Sequence, residues 1–134
     1  MSFGVTVQEN PEILIVEDET IIALDIKFKL HQYGYNHVKT VSSGEKAILV
    51  AQEKCPDLIL MDIKLAGDLD GITTVETINK TCHPAIIFMS AFSDQSIVDR
   101  AKALKPVGYL TKAASDDYLI AMVKKAIGDP PATQ

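Results

Sequence analysis

The sequence predicts an α/β fold in which a five-stranded parallel sheet is covered by helices on both faces. Three observations carry this. Apolar runs without polar alternation recur along the 134 residues, as strands buried on both faces require. Segments with helical spacing of apolar residues fill the gaps between those runs. Capping and turn-forming residues stand at the joints.

Ile13-Leu14-Ile15-Val16 reads as the first strand. The helix after it starts near Thr20, with Glu19 as an acidic first turn. Ile22, Ile26, Leu30 and Tyr33 share one face of it, and Gly34 stands where it ends. Val38 to Val41 is a second, weaker strand, diluted by Lys39 and Thr40. Ser42 and Glu45 then match a capping box, and Ala47, Ile48 and Ala51 form the buried helix face. Pro56 stops this helix before the third strand, Leu58-Ile59-Leu60-Met61. Asp70 caps a helix through Ile72, Val75 and Ile78. Ala85 to Met89 is the fourth strand, and Ser93 is positioned to cap a helix through Ile97, Ala101 and Leu104. Val107 to Leu110 is a fifth, weaker strand. Ser115, with Asp116 and Asp117 behind it, opens the last helix through Leu119, Met122 and Ile127, which Asp129-Pro130-Pro131 ends.

Strand and helix thus alternate five times, a (βα)5 unit in three layers. Right-handed crossovers leave few topologies, and the two diluted strands belong at the edges. The order 2-1-3-4-5 satisfies both, which makes the fold flavodoxin-like. Residues 11–128 are expected to form one domain, with 1–10 and 129–134 as flexible tails or linker.

Composition narrows the function. The formal charge of -5 with scattered Lys and Arg disfavours nucleic acid, whose binding rests on clustered cations. No apolar run approaches a membrane span and the first residues lack a secretory pattern, so a cytoplasmic protein with no membrane partner is expected. Cys55 and Cys82 lie outside any CxxC pattern and read as two reduced, mostly buried thiols. His31, His37 and His83 lie away from the strand ends and read as structural or solvent-facing.

Ligands of open parallel sheets bind beyond the carboxyl ends of the strands, at the switch in strand order. The first strand ends in Glu17-Asp18-Glu19, the third in Asp62, the fourth in Ser90-Ala91 and the fifth in Thr111-Lys112. Carboxylates crowded in this way need a cation between them. Hard oxygen ligands suit Mg²⁺, which in turn holds phosphate. Lys112 adds a point charge for phosphate oxygens and Ser90 a hydroxyl donor. A carboxylate nucleophile, a metal and two donors are sufficient for phosphoryl transfer to Asp62.

Five stretches in order resemble the response-regulator receiver family of two-component signalling, in its chemotaxis-receiver-like form. They are ILIVEDE (Ile13 to Glu19), PDLILMDIKL (Pro56 to Leu65), DG (Asp70-Gly71), IIFMSA (Ile86 to Ala91) and GYLTKA (Gly108 to Ala113). The resemblance implies that Asp62 is the phosphoacceptor. It implies Mg²⁺ (or Mn²⁺) held by Asp18 and Asp62, by Glu17 through water, and by the backbone carbonyl of Lys64. Ser90 would be the switch hydroxyl, Tyr109 the switch aromatic that follows it, and Lys112 the partner of a phosphoryl oxygen. This sequence departs from the family in Glu17, where Asp is commoner, in a longer loop after Asp62, and in Ala113, where Pro is common.

The implied partners are a sensor histidine kinase or phosphotransfer protein as donor. A homodimer or output domain would bind on the face of the fourth helix, fifth strand and fifth helix, including Ala103, Val107 and Tyr109. The protein would be a switch with limited self-phosphorylation and autodephosphorylation, not a turnover enzyme. Lys64 and Phe92 stand at the crevice rim, where they would gate water. One rival reading is a flavodoxin-like electron-transfer protein, but Glu17-Asp18-Glu19 would repel a flavin phosphate. A phosphatase with a strand-one nucleophile lacks its DxD pattern. A degenerate receiver, acting only as an interaction module, is the third alternative.

Overall fold

The computed structural model describes residues 10–91 and 95–130. Five strands alternate with five helices: β1 Glu12–Val16, α1 Thr20–Gln32, β2 His37–Val41, α2 Gly44–Glu53, β3 Leu58–Asp62, α3 Gly71–Ile78, β4 Ala85–Ser90, α4 Gln95–Lys102, β5 Gly108–Thr111 and α5 Asp116–Ile127. All pairings are parallel and the order is β2-β1-β3-β4-β5. This is the flavodoxin-like order that the two diluted strands imply, with β2 and β5 at the edges.

The sheet divides the core in two. Ile13, Ile15, Leu58, Leu60, Ile87 and Met89 face α1 and α5, where Ala23, Leu30, Leu119 and Val123 meet them. Leu14, Val16, Ile59, Met61, Ile86 and Phe88 face the other way, against Ala47 and Ala51 of α2, Ile72, Val75 and Ile78 of α3, and Ala101 of α4. Successive strand side chains point to opposite faces. With both faces covered, the interior positions 13–16 of β1 and 58–61 of β3 need apolar residues, and the polar Glu12 and Asp62 stand at strand ends. No helix among the described residues is long and apolar enough to cross a membrane.

Capping at α3 and α5 follows the sequence, and the cap of α2 shifts by one residue. Glu19 is the N-cap of α1, without a side-chain capping bond, and not part of its first turn. Asp70 Oδ1 accepts from Thr73 N at 2.7 Å, and Ser115 Oγ from Tyr118 N at 3.2 Å. For α2 the cap is Ser43, accepting from Lys46 N at 3.2 Å, and not Ser42. The Ser42 hydroxyl instead accepts from the Lys46 ammonium. Ser93 and Phe92, with the cap and gate expected of them, lie outside the described residues, as do 1–9 and 131–134 of the expected tails. The core face of α1 includes the expected Ile26 and Leu30 but differs at its end. Ala23 and Leu30 are buried, with Ile26 packed beside them, whereas Tyr33 is exposed at the C-cap and Tyr35 takes the buried place. The Tyr35 hydroxyl donates to the Gly128 carbonyl at 2.8 Å, joining the α1–β2 turn to the end of α5.

One expectation is overturned. Cys55 and Cys82 are joined by a disulfide, and both are half-buried. A separation of 27 residues says nothing about proximity. The topology does: β3 and β4 are parallel neighbours, so the segments entering them start side by side, with the two Cα atoms 6.2 Å apart.

Candidate functional site

Parallel strands deliver their carboxyl ends to one edge of the sheet, and β1, β3 and β4 are adjacent. Glu17 and Asp18 follow β1, Asp62 ends β3, Ser90 ends β4 and Lys112 follows β5. One carboxylate oxygen from each of Glu17, Asp18 and Asp62 lies within 4.8 Å of the other two. The Lys112 ammonium is 3.0 Å from Asp62 Oδ2 and 2.9 Å from Glu17 Oε1. Glu17, Asp62 and Ser90 are buried, and Asp18 is half-buried.

The backbone holds these groups in place. Asp62 Oδ1 accepts from Lys64 N at 3.2 Å, Asp18 Oδ2 from Ala66 N at 3.1 Å, and Glu17 Oε2 from Glu19 N at 3.0 Å. Lys112 N donates to the Ser90 carbonyl at 2.7 Å, which fixes the root of the lysine to the end of β4. Gly71, the first residue of α3, rests on the back of Asp62. Its N–H donates to the Ile63 carbonyl at 2.8 Å, and a Cβ there would overlap the Asp62 carbonyl oxygen.

Burial pushes the Asp62 and Glu17 carboxyls above their usual range, although the ammonium of Lys112 pulls both the other way. Burial alone would lower Lys112, but its bonds to Glu17 and Asp62 outweigh this and hold it above the ordinary lysine value. Three carboxylates against one ammonium leave two negative charges at a largely buried spot. Glu17 Oε1 is buried and makes no aligned hydrogen bond among the described residues, so its contact with Lys112 is an ion pair with acceptor capacity to spare. An all-oxygen cluster carrying that charge fits a hard divalent cation such as Mg²⁺.

Tyr109 lies beside Phe88 in the β4–β5 pairing and packs against the core on the α2, α3 and α4 side. Its hydroxyl is buried and has no hydrogen-bond partner among the described residues. Lys64 is exposed, and Val107 and Ala103 lie away from the carboxylate cluster, before β5 and after α4. His31, His37 and His83 are exposed. Sequence reasoning missed the amide groups of Glu19, Lys64 and Ala66. Any residue but proline supplies an N–H, so no sequence signal marks them. The role of Gly71 was visible only as part of a motif, without its steric reason.

Comparison with known proteins agrees with this architecture. The family model described as response regulator receiver domain matches residues 13–124. The transcriptional regulatory protein PdtaR of Mycobacterium tuberculosis is 33% identical over 115 residues, which are 86% of this chain and 56% of that protein. The phyllosphere-induced regulator PhyR of Methylorubrum extorquens is 30% identical over 87% of this chain and 43% of its own length. The chain therefore spans about half the length of these relatives or less. Among solved structures, the signal receiver domain of a modulated diguanylate cyclase from Desulfovibrio desulfuricans superposes with a TM-score of 0.81 at 35% identity, covering 89% of this chain and 94% of that one. The Vibrio cholerae chemotaxis protein CheY4, 20% identical, shares the fold with a TM-score of 0.81 over 89% of this chain and all of its own.

Proposed function

Because this chain belongs to the response regulator receiver domain family, we propose that it is a phosphorylation-driven switch whose acceptor is Asp62. The observation that carries the reading is the meeting of Lys112 Nζ with Asp62 Oδ2 at 3.0 Å beside the carboxylates of Glu17 and Asp18. An Asp62 carboxylate oxygen forms the new bond to phosphorus as the bond from phosphorus to the donor's imidazole nitrogen breaks. The donor is the phosphohistidine of a sensor histidine kinase or of a phosphotransfer protein. Lys112 offsets charge on the phosphoryl oxygens, and the Ser90 hydroxyl donates to one of them. Asp18, Asp62, the Lys64 carbonyl and, through water, Glu17 would hold Mg²⁺, or Mn²⁺ in its place. Such an ion supplies charge stabilisation to the transferring group.

Phosphorylation then biases a two-state equilibrium. When Ser90 moves toward the phosphoryl group, it vacates space on the sheet edge that Tyr109 senses. The Tyr109 hydroxyl, buried with no partner among the described residues, supports this, since a buried donor without an acceptor makes its own position costly. The signal leaves through α4, β5 and α5 to an output domain or a second copy. A cytoplasmic location and no direct contact with nucleic acid or membrane fit the reading. The transcriptional role in the name of PdtaR is that protein's own, of which the matched region covers 56%.

Incubation with acetyl phosphate and MgCl₂, followed by intact mass, tests the assignment. The wild type should gain one phosphoryl group and Asp62→Asn none, with chelator abolishing the gain. Labelling of Asp62→Asn at the wild-type level would refute it.

A further inference from the structure

We propose that Cys55 and Cys82 form a reversible redox clip that controls the local opening of the segment carrying Asp62. The two residues stand at the end of the sheet opposite the carboxylate cluster, where β3 and β4 begin. Their bond closes a ring across 27 residues of sequence. That ring holds all of β3, the loop 63–70 whose amides bind Asp62 and Asp18, and all of α3. A covalent ring removes open conformations from whatever it encloses. The bond touches none of the carboxylates or Lys112, so its influence reaches them only through the enclosed chain.

Two observations favour reversibility. Both cysteines are half-buried, and Cys55 lines a cleft of about 450 Å³ with Lys54, Asp57 and Ala126, which gives a small thiol a path to it. Neither sits inside a helix or strand. Cys55 follows the C-cap of α2, and Cys82 follows α3, with its N–H on the Ile78 carbonyl at 3.1 Å. Breaking the sulfur bond therefore removes no ladder hydrogen bond, and the fold can persist with thiols. In a reducing compartment a protein disulfide is characteristically transient or sensing rather than structural.

The chemistry is exchange with a low-molecular-weight disulfide. One cysteine thiolate attacks the oxidant, forming a mixed disulfide and releasing one thiol. The other cysteine thiolate then attacks the protein sulfur of that mixed disulfide and releases the second thiol. Two electrons pass from the cysteine pair to the oxidant, and the two protons leave with the released thiols.

The test uses the whole chain in buffers poised from fully reduced to fully oxidised glutathione, read by acid quench, alkylation and peptide mass. Alkylation of both cysteines should fall together as the buffer becomes oxidising and recover on return. Oxidation should raise Tm by on the order of 10 °C. It should also slow hydrogen exchange across 56–81 by a larger factor than in β1 and β2. Cys55→Ser should abolish both responses, and the wild-type comparison stands without it. Alkylation that persists in the most oxidising buffer would overturn the proposal. So would a bond that resists excess reductant in the folded protein, or exchange that changes uniformly along the chain. Asp62→Asn should give the same redox response as the wild type, which separates this inference from the phosphoacceptor assignment.

Discussion

Burial raises the pKa of Asp62 and of Glu17, and the sign of that shift decides how the metal-free protein responds to pH. A raised folded pKa means that the native state holds the proton more tightly than the unfolded chain does. Stability is then lost as pH rises from the ordinary carboxylate range, near 3.8 for Asp and 4.5 for Glu, through the raised folded values. The Lys112 contribution runs in the alkaline direction. It is fully present below the ordinary lysine value of 10.5 and disappears as pH climbs through the raised one. Thermal unfolding in chelator should therefore show wild-type stability falling as pH rises above the ordinary carboxylate range, with a shallower fall in Asp62→Asn. MgCl₂ at neutral pH should raise the Tm of the wild type more than that of Asp62→Asn, by mass action. Identical pH profiles for the two proteins would contradict this account. The charged residues of this cluster were legible in the sequence because strand ends in a parallel sheet converge. The three amides that orient them were not, because a backbone N–H carries no residue signature.

Helix α3 shows how an element and the site share one piece of geometry. Asp70 caps it, and Gly71 lets its first turn lie directly on the Asp62 carbonyl. Gly71→Ala should destabilise the protein by about 1–3 kcal/mol, because the added methyl has backbone on the other side and no flexible side chain to displace. Urea unfolding measures this, and a cost within error of zero would mean that α3 can slide away from β3. Helix starts were readable wherever an oxygen-bearing side chain preceded an apolar period, as at Asp70 and Ser115. At α2 two adjacent serines offered the same chemistry, and local sequence could not choose between them. On α1 the apolar residues go nearly all the way round. Ile21, Leu24 and Phe28 are exposed while Ala23 is buried, so periodicity alone found Ile26 and Leu30 but missed Ala23 and put Tyr33 where Tyr35 belongs.

At the scale of the molecule, the sheet order and both core layers followed from strand burial and crossover handedness. The disulfide did not, because it depends on which loops the finished topology brings together. The same is true of the bond from Tyr35 to the Gly128 carbonyl, which spans 93 positions of sequence. Tyr35→Phe keeps the packing and removes that bond, so it should cost about 1 kcal/mol in urea unfolding. An unchanged midpoint would mean that water replaces the carbonyl's partner at no loss. Truncation of Leu60, at the centre of the sheet, is a useful reference for a core defect. Leu60→Ala should cost about 2–5 kcal/mol, well above the tyrosine variant.

The amide of Lys112 is fastened to the carbonyl of Ser90 at 2.7 Å. The residues carrying the hydroxyl and the amine beside Asp62 are thus tied to each other through one backbone hydrogen bond. A tilt at the tip of β4 would therefore be handed through that bond to the residue that follows β5.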